Sequence, residues 1–205
     1  MGGRGSGGVR APKFTGITED DWFDWAEDPE IFQAALNGES KPPHLSQADG
    51  HKYTKEEWER AKQVAPEMQR MAEEGTVDHE TLFRGESFES LLEARRKYKI
   101  GKTITNDKLT SYAVKVGIAK DYAGANIDLM GEDAVKVIIA NTNIHGKSVG
   151  VMTDPFGAGG SYEIVTPKGM KSYVKNTSYD KDTKTLYVEL GSSAKPKKRK
   201  GSKTK

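Results

Sequence analysis

The chain has no cysteine among its 205 residues. Disulfides, thiolate nucleophiles and cysteine-bound zinc are therefore excluded. An oxidising compartment is not required, and the cytoplasm is the simplest site of action. No run of about 18 apolar residues occurs, so no helical membrane span is expected. The opening MGGRGSGGVRAP lacks the apolar centre of a secretory signal, although Gly2 and Ser6 fit the loose spacing of a myristoylation site. His44, His51, His79 and His145 are scattered without ligand spacing, and no metal site is expected. Aromatic residues amount to only 8%, and Trp22, Trp25 and Trp58 are most simply the core of a helical lobe.

Charge is plentiful but uneven. The net charge is +2, from 32 basic and 30 acidic residues. Arg4, Arg10 and Lys13 lie in the first stretch, and Lys195, Lys197, Lys198, Arg199, Lys200, Lys203 and Lys205 lie in the last. All the acidic residues fall between them, which makes the body strongly acidic with basic arms. A basic nucleic-acid-binding face on the body is not expected from this balance, while KPKKRKGSKTK, over 195–205, can contact phosphate backbones or remain a solvated tail. The Gly/Arg-rich residues 1–15 and the basic residues 191–205 are read as disordered tails.

Between the tails, two regions differ in pattern. Residues 16–80 read as a helical lobe. Thr18 can cap a turn carrying Trp22, Phe23 and Trp25. Asp28–Pro29 is a helix start with a capping carboxylate, and Asn37–Gly38 is a stop. Thr54 with Glu57 makes a capping box ahead of Trp58, Ala61 and Ala65, Pro66 is expected to kink or restart that helix, and Gly75 ends it. Residues 81–190 read as a mainly β body with inserted helices. Thr81–Phe83 is strand-like, Ser87 is expected to cap a helix carrying Phe88, Leu91, Leu92, Arg95 and Tyr98, and a further helix runs from Val114 to Gly124. AVKVIIA is a central strand. Lys171–Lys175 and Thr185–Leu190 are further strands. Helices first and strands after make the class α+β.

One strand carries an acid in its middle. In SYEIVTPKG, residues two apart share a face, so Ser161 and Glu163 point one way, and Tyr162, Ile164 and Thr166 the other, which is expected to be the core. The Gly-rich loop before it, with Phe156, can carry a binding surface. Upstream lie an arginine after a short apolar strand (Phe83-Arg84-Gly85) and a serine before a helix (Ser111-Tyr112-Ala113, with Ala119 and Tyr122 beyond).

Those three pieces, in that order and spacing, resemble the ADP-ribosyltransferase family of the arginine–serine–glutamate class, which includes bacterial exoenzyme toxins and phage-borne members. In that family the glutamate precedes aliphatic residues and then Pro-basic-Gly, as Glu163 precedes Ile164, Val165, Thr166, Pro167, Lys168 and Gly169. The resemblance covers about residues 80–190. It implies two packed, antiparallel-rich β-sheets forming an NAD cleft, preceded by the helical lobe. It also implies a mono-ADP-ribosyltransferase that uses NAD as substrate, without a metal, and modifies a macromolecule, most simply a host protein.

The implied roles fit residue chemistry. Arg84 would hold phosphate or ribose oxygens with its guanidinium fork, beside Gly85. Glu163 would grip the ribose and stabilise the positive charge that develops as nicotinamide leaves. Ser111 would hold that carboxylate or the ribose in register, with Tyr112 next to it. Ser161, Phe156 and Tyr162 would face the acceptor. Relatives carry glutamate or glutamine where Ser161 stands, so the acceptor stays open. So do two other readings: a binding protein that uses the fold without catalysis, and a nucleic-acid-associated phage or virion accessory protein acting through its basic tail. Local alternatives are a surface Arg84 paired with Glu86, Ser111 as the N-cap of the next helix, and Glu189 as a rival acid.

Overall fold

The structure, a computed structural model, describes residues 16–47, 49–75, 80–125, 127–143, 151–152 and 163–192. Its contacts group the chain into two compact units. One holds the described residues of Met1–Asp78, Asn106–Ser111 and Gly146–Gly169; the other holds those of His79–Thr105, Tyr112–His145 and Met170–Lys205.

The first unit is built on the N-terminal helices. In α1, Glu19–Glu27, Thr18 caps the helix by accepting from the Asp21 N–H, and Asp21 reaches back to the Thr18 N–H. This capping box leaves few first-turn donors unsatisfied. In α2, Pro29–Leu36, the proline occupies the first turn as expected, but Asp28 makes no side-chain cap. Its Oδ2 instead accepts the Tyr53 hydroxyl at 2.7 Å, a tertiary partner that outcompetes the local one. In α3, Lys55–Glu74, the Thr54–Glu57 capping box forms and Gly75 ends the helix. Pro66 neither breaks nor restarts it. The ring lies on the exposed side, where water can satisfy the carbonyl that loses its partner. On the opposite side Trp58, Ala61, Val64, Ala65, Met68, Met71 and Ala72 are buried. They pack with Ile17, Trp22, Trp25, Ile31, Phe32, Leu109 and Val165 into one core. The tryptophans are thus core residues.

The strands of this unit are β5, Val151–Met152, and β6, Glu163–Thr166, paired antiparallel, together with Thr110 and Ser111 of β3, Thr110–Ala113. The expected one-sided burial of β6 does not hold. Ile164, Val165 and Thr166 are all fully buried, because Val165, on the other side from Ile164, enters the helical core. A strand packed on both faces shows no alternation.

The second unit is a mixed sheet in the order β2-β7-β8-β4-β1. Its strands are β1, Leu82–Phe88; β2, Thr103–Thr105; β4, Val135–Asn141; β7, Lys171–Asp180; and β8, Thr185–Gly191. The apolar run AVKVIIA is the central strand β4, antiparallel to β1 along its whole length and parallel to β8. Val135, Val137, Ile138 and Ile139 are buried. Phe88 does not enter a helix. It ends β1 opposite Val135, and α4, Leu91–Lys97, is capped by Ser90 rather than Ser87. The cross-strand partner lengthens a strand whose local sequence also suits a helix.

Helix α5, Val116–Gly124, follows β3, with Lys115 at its N-cap position. Ser111 is therefore a strand residue and caps nothing. A Cβ on Gly85 would stand 1.9 Å from the Ala119 carbonyl oxygen and 2.6 Å from the Ala123 nitrogen. Glycine at 85, with alanines at 119 and 123, is what lets the α5 backbone lie against β1.

Helices early in the chain and mostly strands after them give the expected α+β class. Among the described residues no helix is long and apolar enough to cross a membrane.

Candidate active site

Glu163 opens β6, and the rest of that strand is immobilised. The Thr166 hydroxyl donates to the Thr110 carbonyl at 2.9 Å and accepts from the Asn106 amide at 2.9 Å. The same amide donates to the Pro167 carbonyl at 3.3 Å, and the Gly169 N–H donates to the Asn106 carbonyl at 2.7 Å. Gly169 has φ +85°, a left-handed turn conformation that suits glycine. The Pro-Lys-Gly sequel to Glu163 is thus a turn held by Asn106 and by Gln69 of α3, which bonds both backbone groups of Lys168.

The Ser111 hydroxyl donates to Glu163 Oε1. These two residues are 52 positions apart in sequence, and both are partly buried. An oriented carboxylate beside a hydroxyl can accept hydrogen bonds from a sugar diol and favour positive charge on a nearby carbon. Without the strand anchorage below it, the acid would sample several rotamers and lose that aim.

Arg84 belongs to the second unit, on β1. It does pair with Glu86, as one reading held, yet it is no surface residue: its side chain is 27% exposed and that of Glu86 17%. Arg84 Nε donates to Glu86 Oε1 at 3.1 Å. Glu86 Oε2 accepts from Lys97 Nζ at 2.8 Å and from the Tyr98 hydroxyl at 2.7 Å. Burial alone would raise the Glu86 carboxyl, but the Arg84 and Lys97 charges and the hydrogen bonds from Lys97 and Tyr98 outweigh it, and it titrates below its ordinary value. Burial pushes the Tyr98 phenol upward, and the adjoining carboxylate pushes it further.

Tyr112 is 4% exposed, and its hydroxyl accepts from Asn141 Nδ2 at 3.4 Å. Gly85 is where α5 approaches β1. Glu189 is an exposed residue of β8 opposite Ala140. Ser161, Phe156 and Tyr162 lie outside the described residues, as do the basic tail and the Gly-rich N-terminus. Among the described residues no cluster of His, Cys, Asp or Glu could hold a metal. The sequence offers Glu86 only as a surface partner of Arg84, and it does not single out Asn106 or Gln69. The i, i+2 spacing of Arg84 and Glu86 on a strand is the signal for the first; the other two bond to partners 60 to 99 positions away, several of them backbone groups, which leaves no trace in the sequence.

The fold is that of the ADP-ribosyltransferases. The chain is similar to the ADP-ribosyltransferase Vis in complex with M6 inhibitor, with a TM-score of 0.56 and 12% identity over 87% of this chain and 73% of that one. Vis is a toxin from Vibrio splendidus. Its complex with agmatine gives a TM-score of 0.55 and 12% identity over 88% of this chain and 76% of that one. The ADP-ribosylating toxin BECa, from a binary enterotoxin of C. perfringens and solved with NADH, gives 0.50 and 13%, over 85% of this chain and 43% of that one. No family model matches the chain, and no curated protein does.

Proposed function

We propose that the protein is a mono-ADP-ribosyltransferase of the arginine–serine–glutamate class. The observation that carries this reading is the Ser111–Glu163 contact, within an ADP-ribosyltransferase fold, at the two positions where the family's serine and glutamate motifs fall in this sequence.

In the proposed reaction NAD is a substrate. Arg84 binds its diphosphate by charge-assisted hydrogen bonds. Glu163 accepts a hydrogen bond from the ribose 2′-hydroxyl, and Ser111 keeps the carboxylate aimed. The bond between the ribose C1′ and the nicotinamide nitrogen breaks, and nicotinamide leaves with the electron pair. The sugar carbon passes through an oxocarbenium-like state, stabilised by the Glu163 charge. The acceptor nucleophile then forms the new bond to C1′ and gives up its proton. Water in that place makes the reaction an NAD glycohydrolase. The acceptor is a macromolecule, in our reading a host protein met in the cytoplasm, recognised through Ser161, Phe156 and Tyr162.

Purified protein is incubated with NAD labelled in the adenylate and with host lysate, beside Glu163→Ala. Nicotinamide release and label on protein are expected from the wild type, and both fall by about 100-fold or more in the variant, the scale lost when a single electrostatic contact to the transition state is removed. No nicotinamide release from the wild type, with or without lysate, overturns the enzyme reading and leaves a binding protein with this fold.

A further inference from the structure

We propose that Glu86 is a positioning residue for Arg84: its carboxylate, pinned by Lys97 and Tyr98, sets the plane in which the Arg84 guanidinium meets an anionic dinucleotide. The inference rests on Arg84 as the diphosphate-binding residue.

Arg84 and Glu86 are two apart on β1 and so share a face. The bond between them uses Arg84 Nε, and the Nε–H lies in the guanidinium plane, so this one contact constrains the orientation of the whole fork. Glu86 can impose that constraint because it is itself held from outside the strand. Its second oxygen accepts from Lys97 and Tyr98, at the end of α4. Tyr98 is 2% exposed and packs edge-on against Phe88 at 6.1 Å. A rigid aromatic pair thus anchors the carboxylate, and the carboxylate anchors the arginine.

Charge points the same way. Arg84 with Glu86 alone would be neutral and would attract an anion weakly. Lys97 on the other oxygen means that the carboxylate charge is shared between two cations rather than set against Arg84 alone. An ion pair with no further task is weak evidence for stability. Two cations and a phenol on one carboxylate, beside the residue that the family pattern assigns to NAD, are better explained as a mount for that residue.

The test compares Glu86→Ala, Glu86→Gln, Tyr98→Phe and Arg84→Lys with the wild type in nicotinamide release. In parallel, the Arg84 Nε–H resonance is followed by 15N NMR, assigned by its loss in Arg84→Lys. Glu86→Ala is expected to raise KM for NAD about 10-fold with kcat changed less than about 2-fold, because diphosphate contacts are made equally in ground and transition states. Glu86→Gln keeps an acceptor oxygen and recovers most of the affinity; Tyr98→Phe gives a smaller rise. The Nε–H signal is expected to exchange rapidly in Glu86→Ala and to persist in Glu86→Gln. A merely structural Glu86 would lower the active fraction, and so kcat, at constant KM. An unchanged KM and an unchanged Arg84 signal in Glu86→Ala overturn the proposal. If Arg84→Lys also leaves KM unaltered, the NAD role of Arg84 fails, and the proposal falls with it, whatever the resonance shows.

Discussion

Gln69 makes two hydrogen bonds to the backbone of Lys168. Its Nε2 donates to the carbonyl at 3.1 Å, and its Oε1 accepts the N–H at 2.9 Å. The side-chain amide behaves as a one-residue neighbouring strand. It ties α3 to the turn that directly follows the Glu163 strand, and Lys168 Nζ adds a bond to Asn37 Oδ1 at 2.5 Å.

Replacing Gln69 by alanine leaves both backbone groups of a part-buried residue without these partners, at a cost of about 1–3 kcal/mol. The expected result is a lower midpoint in urea with an unchanged m-value. On the proposed function, nicotinamide release falls more through kcat than through KM, because Glu163 loses its aim. Equal midpoints for variant and wild type would show that the turn holds itself.

Gly85→Ala places a methyl group against backbone atoms of α5, which cannot rotate away as a side chain can. Overpacking of this kind costs about 1–3 kcal/mol, and a thermal melt should drop by roughly 4 °C or more. A drop under about 1 °C would show that α5 shifts without resistance.

Acid should destabilise the first unit through Asp21. Its carboxylate is buried and receives Arg60 Nε at 2.7 Å, Arg60 Nη2 at 2.5 Å and the Thr18 N–H at 2.7 Å. Burial would raise the Asp21 carboxyl, but the bonds from Arg60 and Thr18 bring it below its ordinary value. A depressed folded pKa means that the unfolded chain binds the proton first. The stabilisation is present above about pH 4 and is lost as pH falls through the folded value. Asp21→Asn should therefore be less stable than wild type at pH 7, with the gap closing below about pH 4. Unfolding followed by tryptophan fluorescence suits this test, since Trp22 and Trp25 lie on the same helix. A gap independent of pH would assign the loss to packing.

Removing residues 193–205 takes away seven basic residues, Lys195, Lys197, Lys198, Arg199, Lys200, Lys203 and Lys205. The truncated protein is expected to keep its nicotinamide release and to lose any salt-sensitive retention on RNA or DNA. Retention that survives truncation would remove this tail from nucleic-acid contact.

The parts of the fold legible in the sequence are those decided within a few residues. The Thr18 cap, the Thr54 capping box, the Pro29 start and the Gly75 stop each depend on neighbours within a few positions. The AVKVIIA strand is legible because a strand buried on both faces is apolar nearly throughout, here with Lys136 as the one exception. The same rule accounts for β6, where Ser161 and Glu163 on one face make a strand buried on both sides look one-sided. Ser87–Phe88 went astray because a capping serine and an apolar helical spacing were both present, and only pairing with Val135 and Lys136 chose the strand.

The sequence by itself determined the helical lobe, the α+β order, and the serine and glutamate whose spacing resembles an ADP-ribosyltransferase. Local hydrogen bonding and side-chain periodicity need no distant partner, and motif spacing is written along the chain. Only the tertiary structure decided that Ser111 meets Glu163 across 52 positions, that Gln69 grips Lys168 across 99, and that Tyr98 holds the carboxylate beside Arg84. Each of these is a contact whose energy depends on burial and on direction. Both quantities exist only once the chain has closed the loops that bring the partners together.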